Sequence, residues 1–279
     1  MGSVLYIVST PIGNLEDITF RAVRVLKEVD LIACEDTRTT RKLLTRYGIN
    51  KPLTSYHEHN EVGKALELVS LLAEGKSIAL VSDAGTPTVS DPGFRVVKLA
   101  SEAGINIVPV PGPSAVLSAL SVSGLPTSNF SFFGFPPRTK KQLISFLEDI
   151  KSYPGTLVFY ESPKRVVKTL EAMTEALGDR GASISREITK IHEERLRGAI
   201  TEVTAQLKDR KEIKGEITLV IEGNTSPGEE FSAQDVDRLL IELKNEGLTL
   251  KGAVEEISTK TSYPKSKTYK RALIVWKDS

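Results

Sequence analysis

The chain is nearly devoid of cysteine: Cys34 is the only one in 279 residues. That excludes an internal disulfide framework and a cysteine-based zinc site. Histidine is scarce too, with His57, His59 and His192 making up the full set. No HExxH or comparable spacing joins them, so no metal site is expected. Long hydrophobic runs are missing, and nothing approaches the ~20 apolar residues that span a bilayer. The first residues hold no cationic segment ahead of a long apolar one, the pattern of a signal peptide. Gly2 is not followed by a myristoylation motif, because Tyr6 stands where Ser or Thr is required. A cytoplasmic protein without membrane attachment is expected. Excess charge of one sign is lacking as well. With a net charge of +1, affinity for nucleic acid has to come from a local patch and not from the overall field.

What is present is the makeup of a packed globular chain. Hydrophobic residues account for 40% and charged residues for 26%, a balance unlike that of disordered segments. Short apolar runs recur at 4–8, 31–34, 78–81, 107–110, 130–133, 156–160, 182–186 and 216–221. Their length and their Val, Ile and aromatic content predict buried strands. Helical patterns fall between them, at 20–29 behind a capping Thr19, then 61–73, 94–103, 115–122, 140–150, 164–177 and 201–210. Strand, loop and helix in repetition predict an α/β protein with largely parallel sheets. The turn-rich Ser123-Gly-Leu-Pro-Thr-Ser-Asn129 places a boundary near residue 124, and Gly223-Asn-Thr-Ser-Pro-Gly228 reads as a linker. The expected organisation is one α/β domain over 1–124, a second over 125–223, and a small helical extension over 224–279.

The informative residues follow the strands. The run 4–8 leads into Ser9-Thr-Pro-Ile-Gly-Asn14. The run 78–81 leads into Ser82-Asp-Ala-Gly-Thr-Pro87 and then Ser90-Asp-Pro-Gly93, and 107–110 leads into Pro111-Gly-Pro-Ser-Ala115. Open α/β sheets bind ligands beyond the carboxyl ends of their strands, so three Gly/Pro loops in equivalent places predict one cleft. No GxxxxGK[ST] or GxGxxG phosphate cradle is present. Ser114 is not a nucleophile elbow, since Val116 occupies the position where glycine is needed.

Taken together with Cys34-Glu-Asp-Thr-Arg38, these loops resemble the signature series of the tetrapyrrole-methylase superfamily. More narrowly they are similar to its ribosomal RNA branch, which methylates a ribose 2′-hydroxyl of a decoding-centre cytidine. Phe159-Tyr-Glu-Ser-Pro-Lys-Arg165, Arg186-Glu-Ile-Thr-Lys190 and His192-Glu-Glu194 extend the likeness to residues 4–222. The tail resembles the helix-turn-helix-like extension of that branch. The resemblance implies two α/β domains of the tetrapyrrole-methylase fold, with S-adenosylmethionine as the cofactor in the cleft between them, commonly as a homodimer. By motif, the cofactor-binding positions are Pro11, Ser82, Asp83, Ala84, Gly85, Thr86, Val89, Ser114, Ala115, Tyr160, Glu161, Ile188 and Thr189. The partner implied is small-subunit ribosomal RNA or the assembled 30S subunit. Porphyrin-methylating relatives carry a glycine-rich first loop and an acidic Gly-Asp-Pro segment. Ser9-Thr10 and Ala84-Gly-Thr-Pro87 stand here instead, which favours RNA over a tetrapyrrole. A methyltransferase for a tetrapyrrole or other small molecule, and a catalytically silent RNA-binding scaffold, are the competing readings.

A ribose hydroxyl is weakly acidic, so a base or a cation should assist its deprotonation. Glu35, Asp36 and Arg38 are the leading catalytic candidates, although Asp36 equally suits a helix cap. Lys190, beside His192 and Glu193, is a further catalytic candidate, with a solvated strand edge as the alternative. RNA contact is expected from Arg38, Arg41 and Lys42, and from Lys265, Lys267, Lys270 and Arg271 in the tail. His57 is a possible nucleotide contact in a polar loop. Tyr269 is placed to stack on bases, whereas Trp276 sits in an apolar stretch that suits a core.

Overall fold

The computed structural model describes residues 3–224, 232–261 and 263–277, so most of the expected linker at 223–228 lies outside the described residues. The first sheet has the order β3-β2-β4-β1-β5 and is parallel throughout. Its strands are β1 (Val4–Val8), β2 (Leu31–Cys34), β3 (Leu53–Ser55), β4 (Ser77–Val81) and β5 (Asn106–Val110). The helices between them are α1 (Phe20–Glu28), α2 (Thr37–Arg46), α3 (Glu61–Ala73) and α4 (Phe94–Glu102). Parallel strands need crossovers that cover both faces, and here two apolar layers result. Ala22, Val25, Leu26 and Leu44 of α1 and α2 pack on one face, while Leu68, Leu72, Val96 and Ala100 of α3 and α4 pack on the other.

The second sheet follows α5 (Ala115–Ser121) and has the order β6-β7-β10-β8-β9. It comprises β6 (Phe130–Phe132), β7 (Thr156–Glu161), β8 (Gly181–Arg186), β9 (Glu194–Ala199) and β10 (Ile217–Ile221), with α6 (Lys140–Asp149), α7 (Val166–Leu177) and α8 (Ile200–Lys208). Here the expectation of largely parallel sheets is corrected. Only β6 and β7 run parallel, while β10 lies antiparallel to both β7 and β8, and β9 antiparallel to β8. For β8 and β9 the physical reason is the short return at residues 187–193, which reverses the chain where a parallel crossover needs a dozen residues or more.

The sequence places α5 ahead of the boundary near residue 124, but this helix packs on the second sheet. Its Val116, Ala119 and Leu120 bury against Val158 and Val220. The chain therefore changes sheets at residues 111–114. Both sheets belong to one compact unit, made of residues up to Glu148 together with Gly155–Glu222.

A second unit contains Asp149–Pro154 and the residues from Gly223 onward. In it, α9 (Ala233–Asn245), α10 (Leu250–Lys260) and α11 (Lys265–Lys277) close around Val236, Leu240, Ala253, Val254, Ile257 and Ala272. Trp276 packs against this small core and Tyr269 is exposed. Among the described residues no helix is long and apolar enough to cross a membrane.

Candidate active site

Because β1, β4 and β5 run parallel, the loops after them emerge on one side of the sheet. There they are stitched together. Thr10 and Gly85 exchange two backbone hydrogen bonds of 2.8 and 3.0 Å. The Ser9 and Thr86 hydroxyls lie 2.9 Å apart, and the Thr86 hydroxyl donates to the Pro113 carbonyl at 3.4 Å. Gly85 adopts φ +82°, a backbone that side chains disfavour. The tied loops form one wall of a cleft of about 800 Å³. The opposite wall comes from the second sheet, through Phe132, Phe135, Tyr160 to Pro163, and Gly215 to Thr218.

Of the residues assigned from sequence, Ala84, Gly85, Thr86, Val89, Ser114, Ala115, Tyr160 and Glu161 line this cleft. Pro11, Ser82, Asp83, Ile188 and Thr189 are not part of its lining. Ser82 is buried and donates to the Ala84 carbonyl at 3.2 Å. The Asp83 carboxylate accepts from the Asp36 backbone N–H at 3.0 Å. Ile188 packs against the layer between α5 and the second sheet. The Thr189 hydroxyl accepts from the Asn14 N–H at 3.1 Å, which ties the first loop to the second half of the unit. Glu161 is a special case, because its carboxylate is held by internal partners. It accepts from the Ser162 N–H at 2.6 Å and the Thr169 hydroxyl at 2.5 Å, and pairs with Arg165 at 3.2 Å.

The charged candidates divide in the same way. Asp36 is the N-cap of α2, accepting from the Arg38 N–H at 2.8 Å. The Arg38 side chain also holds its carboxyl down to about 2. Arg38 is 88% exposed, and neither residue, nor Glu35, lines the cleft. The Glu35 carboxyl is raised, first by burial and then by the charge of Asp83. Lys190 donates to Glu187 at 2.9 Å and to Glu216 at 3.1 Å, and Glu216 lines the cleft. Burial opposes the Lys190 charge, but these two hydrogen bonds outweigh it and raise the ammonium.

Asp91 is the carboxylate that sequence reading passed over. It lines the cleft, and its carboxyl is pushed up to about 6, chiefly by burial and next by the charge of Glu35. Tyr160, on the same wall, is pushed up to about 12 by burial and by the charges of Asp91 and Glu216. The loop before Asp91 is strained, with Thr88 at φ +75° and Ser90 at φ +64°. Glu187 and Thr189 share the feature, at φ +53° and +67°. Such strain gathers where a loop must present a group in one orientation. The signal in the sequence was the Ser90-Asp-Pro-Gly93 turn, which reads as loop chemistry only.

The expected RNA contacts are altered in two places. Arg38, Arg41 and Lys42 do share an exposed groove along α2 with Thr37 and Thr45. His57, however, is half-buried, its Nδ1 is enclosed without a partner among the described residues, and its charge acts on Glu35. It is not presented as a surface contact. In the helical unit Lys265, Lys267 and Lys270 are exposed, but Arg271 is clamped on Asp237, with Nε 2.6 Å from the carboxylate. A guanidinium held that way commits its Nε and Nη2 donors within the fold.

Residues 4–204 match the family model described as Tetrapyrrole (Corrin/Porphyrin) Methylases. A Halalkalibacterium halodurans protein named ribosomal RNA small subunit methyltransferase I is 51% identical over 83% of this chain and 79% of its own length. The Bacillus subtilis protein of the same name is 45% identical over 95% of this chain and 92% of its own. Among solved structures, the methyltransferase CobJ superposes with a TM-score of 0.60 at 18% identity, covering 83% of this chain and 98% of that one. That likeness reaches the fold alone. On the matched loops and the identity over nearly the whole length, the chain belongs to the tetrapyrrole methylase family, in its ribosomal RNA small subunit methyltransferase I branch.

Proposed function

We propose that the protein transfers a methyl group from S-adenosylmethionine to the ribose 2′-hydroxyl of a decoding-centre cytidine in small-subunit ribosomal RNA. The observation that carries this reading is a cleft at the strand ends with one wall of small-residue loops and a desolvated carboxylate, Asp91. Its volume falls in the ~300–1,000 Å³ range of small-molecule sites. The backbone of Ala84, Gly85 and Thr86 and the Ser114–Ala115 turn can approach a nucleoside closely, and an acidic wall suits a cationic sulfonium. When bound, the donor supplies an electrophilic methyl group. The chain's own part is to hold the ribose in line with it and to accept the hydroxyl proton, for which Asp91 is placed. The charge of Glu35 tunes Asp91, while Lys190 holds Glu216 at the cleft edge. Mass-spectrometric mapping of ribose methylation in cells lacking the protein tests the reading, and an intact methylation pattern would sink it. Calorimetry with S-adenosylmethionine separates an enzyme from a silent scaffold.

Gly85→Ala is expected to weaken donor affinity about tenfold. An added Cβ meets only Ile12 Cγ2, at 3.5 Å, so space is not the obstacle. Holding φ +82° with a side chain carries a penalty of ~1–2 kcal/mol. The loop relieves that strain by giving up its pairing with Thr10. Donor titration would contradict this if the variant matched the unmodified protein.

The RNA footprint extends, in this reading, over Arg38, Arg41 and Lys42 and over Lys265, Lys267 and Lys270. Replacing the three tail lysines by glutamine is expected to flatten the log–log salt dependence of RNA binding by roughly 0.7–0.9 for each phosphate no longer neutralised. Arg271 is left in place to keep its pair with Asp237. Filter binding over a salt series measures the slope, and an unchanged slope would remove the tail from the footprint. A cytoplasmic homodimer acting on the 30S subunit completes the proposal. Exposed Val62, Leu66 and Phe94 on α3 and α4 supply an apolar face suited to a second copy, which sedimentation would detect.

A further inference from the structure

Phe135 is 59% exposed, yet it lines the cleft on a tightly built loop. Before it, Gly134 turns the chain at φ +63° and its carbonyl accepts from the Tyr160 N–H at 2.9 Å. After it come two prolines, which have little freedom to lose. Both of their carbonyls accept from one Arg165 Nη2, at 2.8 Å from Pro136 and 2.9 Å from Pro137. Arg165 is in turn held by Glu161, whose side chain is completely buried and anchored by Thr169. A buried carboxylate thus fixes an arginine, the arginine fixes two carbonyls, and the carbonyls fix an aromatic ring that remains open to solvent. An exposed ring adds nothing to the core that would call for such support.

The ring continues an aromatic series. Phe132 meets Tyr160 edge-on at 4.8 Å between centroids, and Phe135 lies 5.6 Å from Tyr160 at a tilt of 57°. Phe135 is the exposed member of that series. The adjacent Gly134 also meets the loop that carries Asp91, because a Cβ built on it would lie 3.4 Å from the Ser90 hydroxyl. A ring for a base and a carboxylate for a ribose hydroxyl therefore sit on touching loops.

We propose that Phe135 is the platform on which the base of the target nucleotide stacks, with Arg165 and Glu161 as positioning residues for its loop. The inference rests on the RNA reading above and adds how the nucleotide is held. Proteins that act on single nucleotides of folded RNA splay the base out and stack it on an aromatic side chain. The donor's proposed contacts lie mainly on the opposite wall and at the start of α5, which leaves Phe135 to the acceptor.

The test uses the full-length protein, labelled S-adenosylmethionine and 30S subunits from cells that lack the methylation. Phe135→Ala and Phe135→Leu are both expected to raise KM for the subunit ~10–100-fold, the loss typical of one stacked base. Donor affinity and melting temperature should stay within error, and Phe135→Trp should restore KM. Arg165→Gln should raise KM in the same direction, and combining it with Phe135→Ala should add little more. Normal kinetics for Phe135→Ala and Phe135→Leu would overturn the proposal, as would rescue by leucine. A matching loss of donor affinity would assign the ring to the donor, and a change in oligomeric state would assign it to an interface. If the unmodified protein leaves the subunits unmethylated, the RNA reading itself fails, and that outcome is visible before any variant is made.

Discussion

Asp91→Asn is expected to keep its donor and lose turnover by ~10²–10⁴, the usual contribution of a positioned base. The amide matches the carboxylate in shape but does not accept a proton from the ribose. In the unmodified protein the acid limb of the pH–rate profile should fall near the Asp91 carboxyl, at about 6, because the base works only when ionised. Glu35→Gln should move that limb to lower pH, since the charge of Glu35 is one of the causes that raise Asp91. Stability carries an independent signature of opposite sign. A carboxyl raised on folding favours the fold when protonated, so its contribution is present below its ordinary value and lost as pH rises through about 6. Near neutral pH the ionised group therefore destabilises the fold, and Asp91→Asn should raise the melting temperature while it removes activity. Single-turnover rates and thermal melts on the same preparations measure both. Unimpaired turnover with donor bound would take the role of base away from Asp91.

Glu161→Ala is expected to destabilise the α/β unit severely. The Glu161 side chain is completely buried and serves the Ser162 N–H, the Thr169 hydroxyl and Arg165 together. Removing the carboxylate leaves the Ser162 N–H and the Thr169 hydroxyl without their acceptor and Arg165 without its counter-charge, a loss of about 3–5 kcal/mol. The denaturant midpoint should fall sharply with little change in slope, because the surface exposed on unfolding is nearly the same. Glu161→Gln keeps the shape and some of the hydrogen bonding, so it should lose less. It also separates two roles for this residue: unchanged donor affinity in the folded Gln variant fits a carboxylate that supports the loop, whereas a selective loss of affinity would place it on the donor. A stability loss below ~1 kcal/mol for the alanine variant would contradict this account.

Several elements were legible because their signal is local. The central strands β1, β2 and β4 are short apolar runs and required no knowledge of their neighbours. The two strands that escaped, β3 and β9, lie at sheet edges. β3 is a three-residue strand, Leu-Thr-Ser, and β9 reads Glu-Arg-Leu-Arg-Gly-Ala, where charge keeps an edge from pairing with other chains. The other two edge strands, β5 and β6, carry apolar runs of their own and were legible, whereas β3 and β9 have none and only their pairing reveals them. The antiparallel course of the second sheet was hidden for the same reason, since direction belongs to the pairing.

By itself, the sequence determined the alternation of strands and helices, the three loops after β1, β4 and β5, and the family resemblance, all of which rest on residues close together in the chain. The tertiary structure decided which charges face the cleft. Asp36 and Arg38 looked catalytic as a motif, yet they satisfy each other at the start of α2. Arg271 looked like an RNA contact, yet Asp237, 34 residues away, holds it. Asp91 looked like part of a turn, yet burial and the charge of Glu35, from a different strand end, make it the perturbed carboxylate of the site. A side chain's charge is written in the sequence, but its desolvation and its partner are set by residues distant in the chain, and those decide whether the charge is available for chemistry.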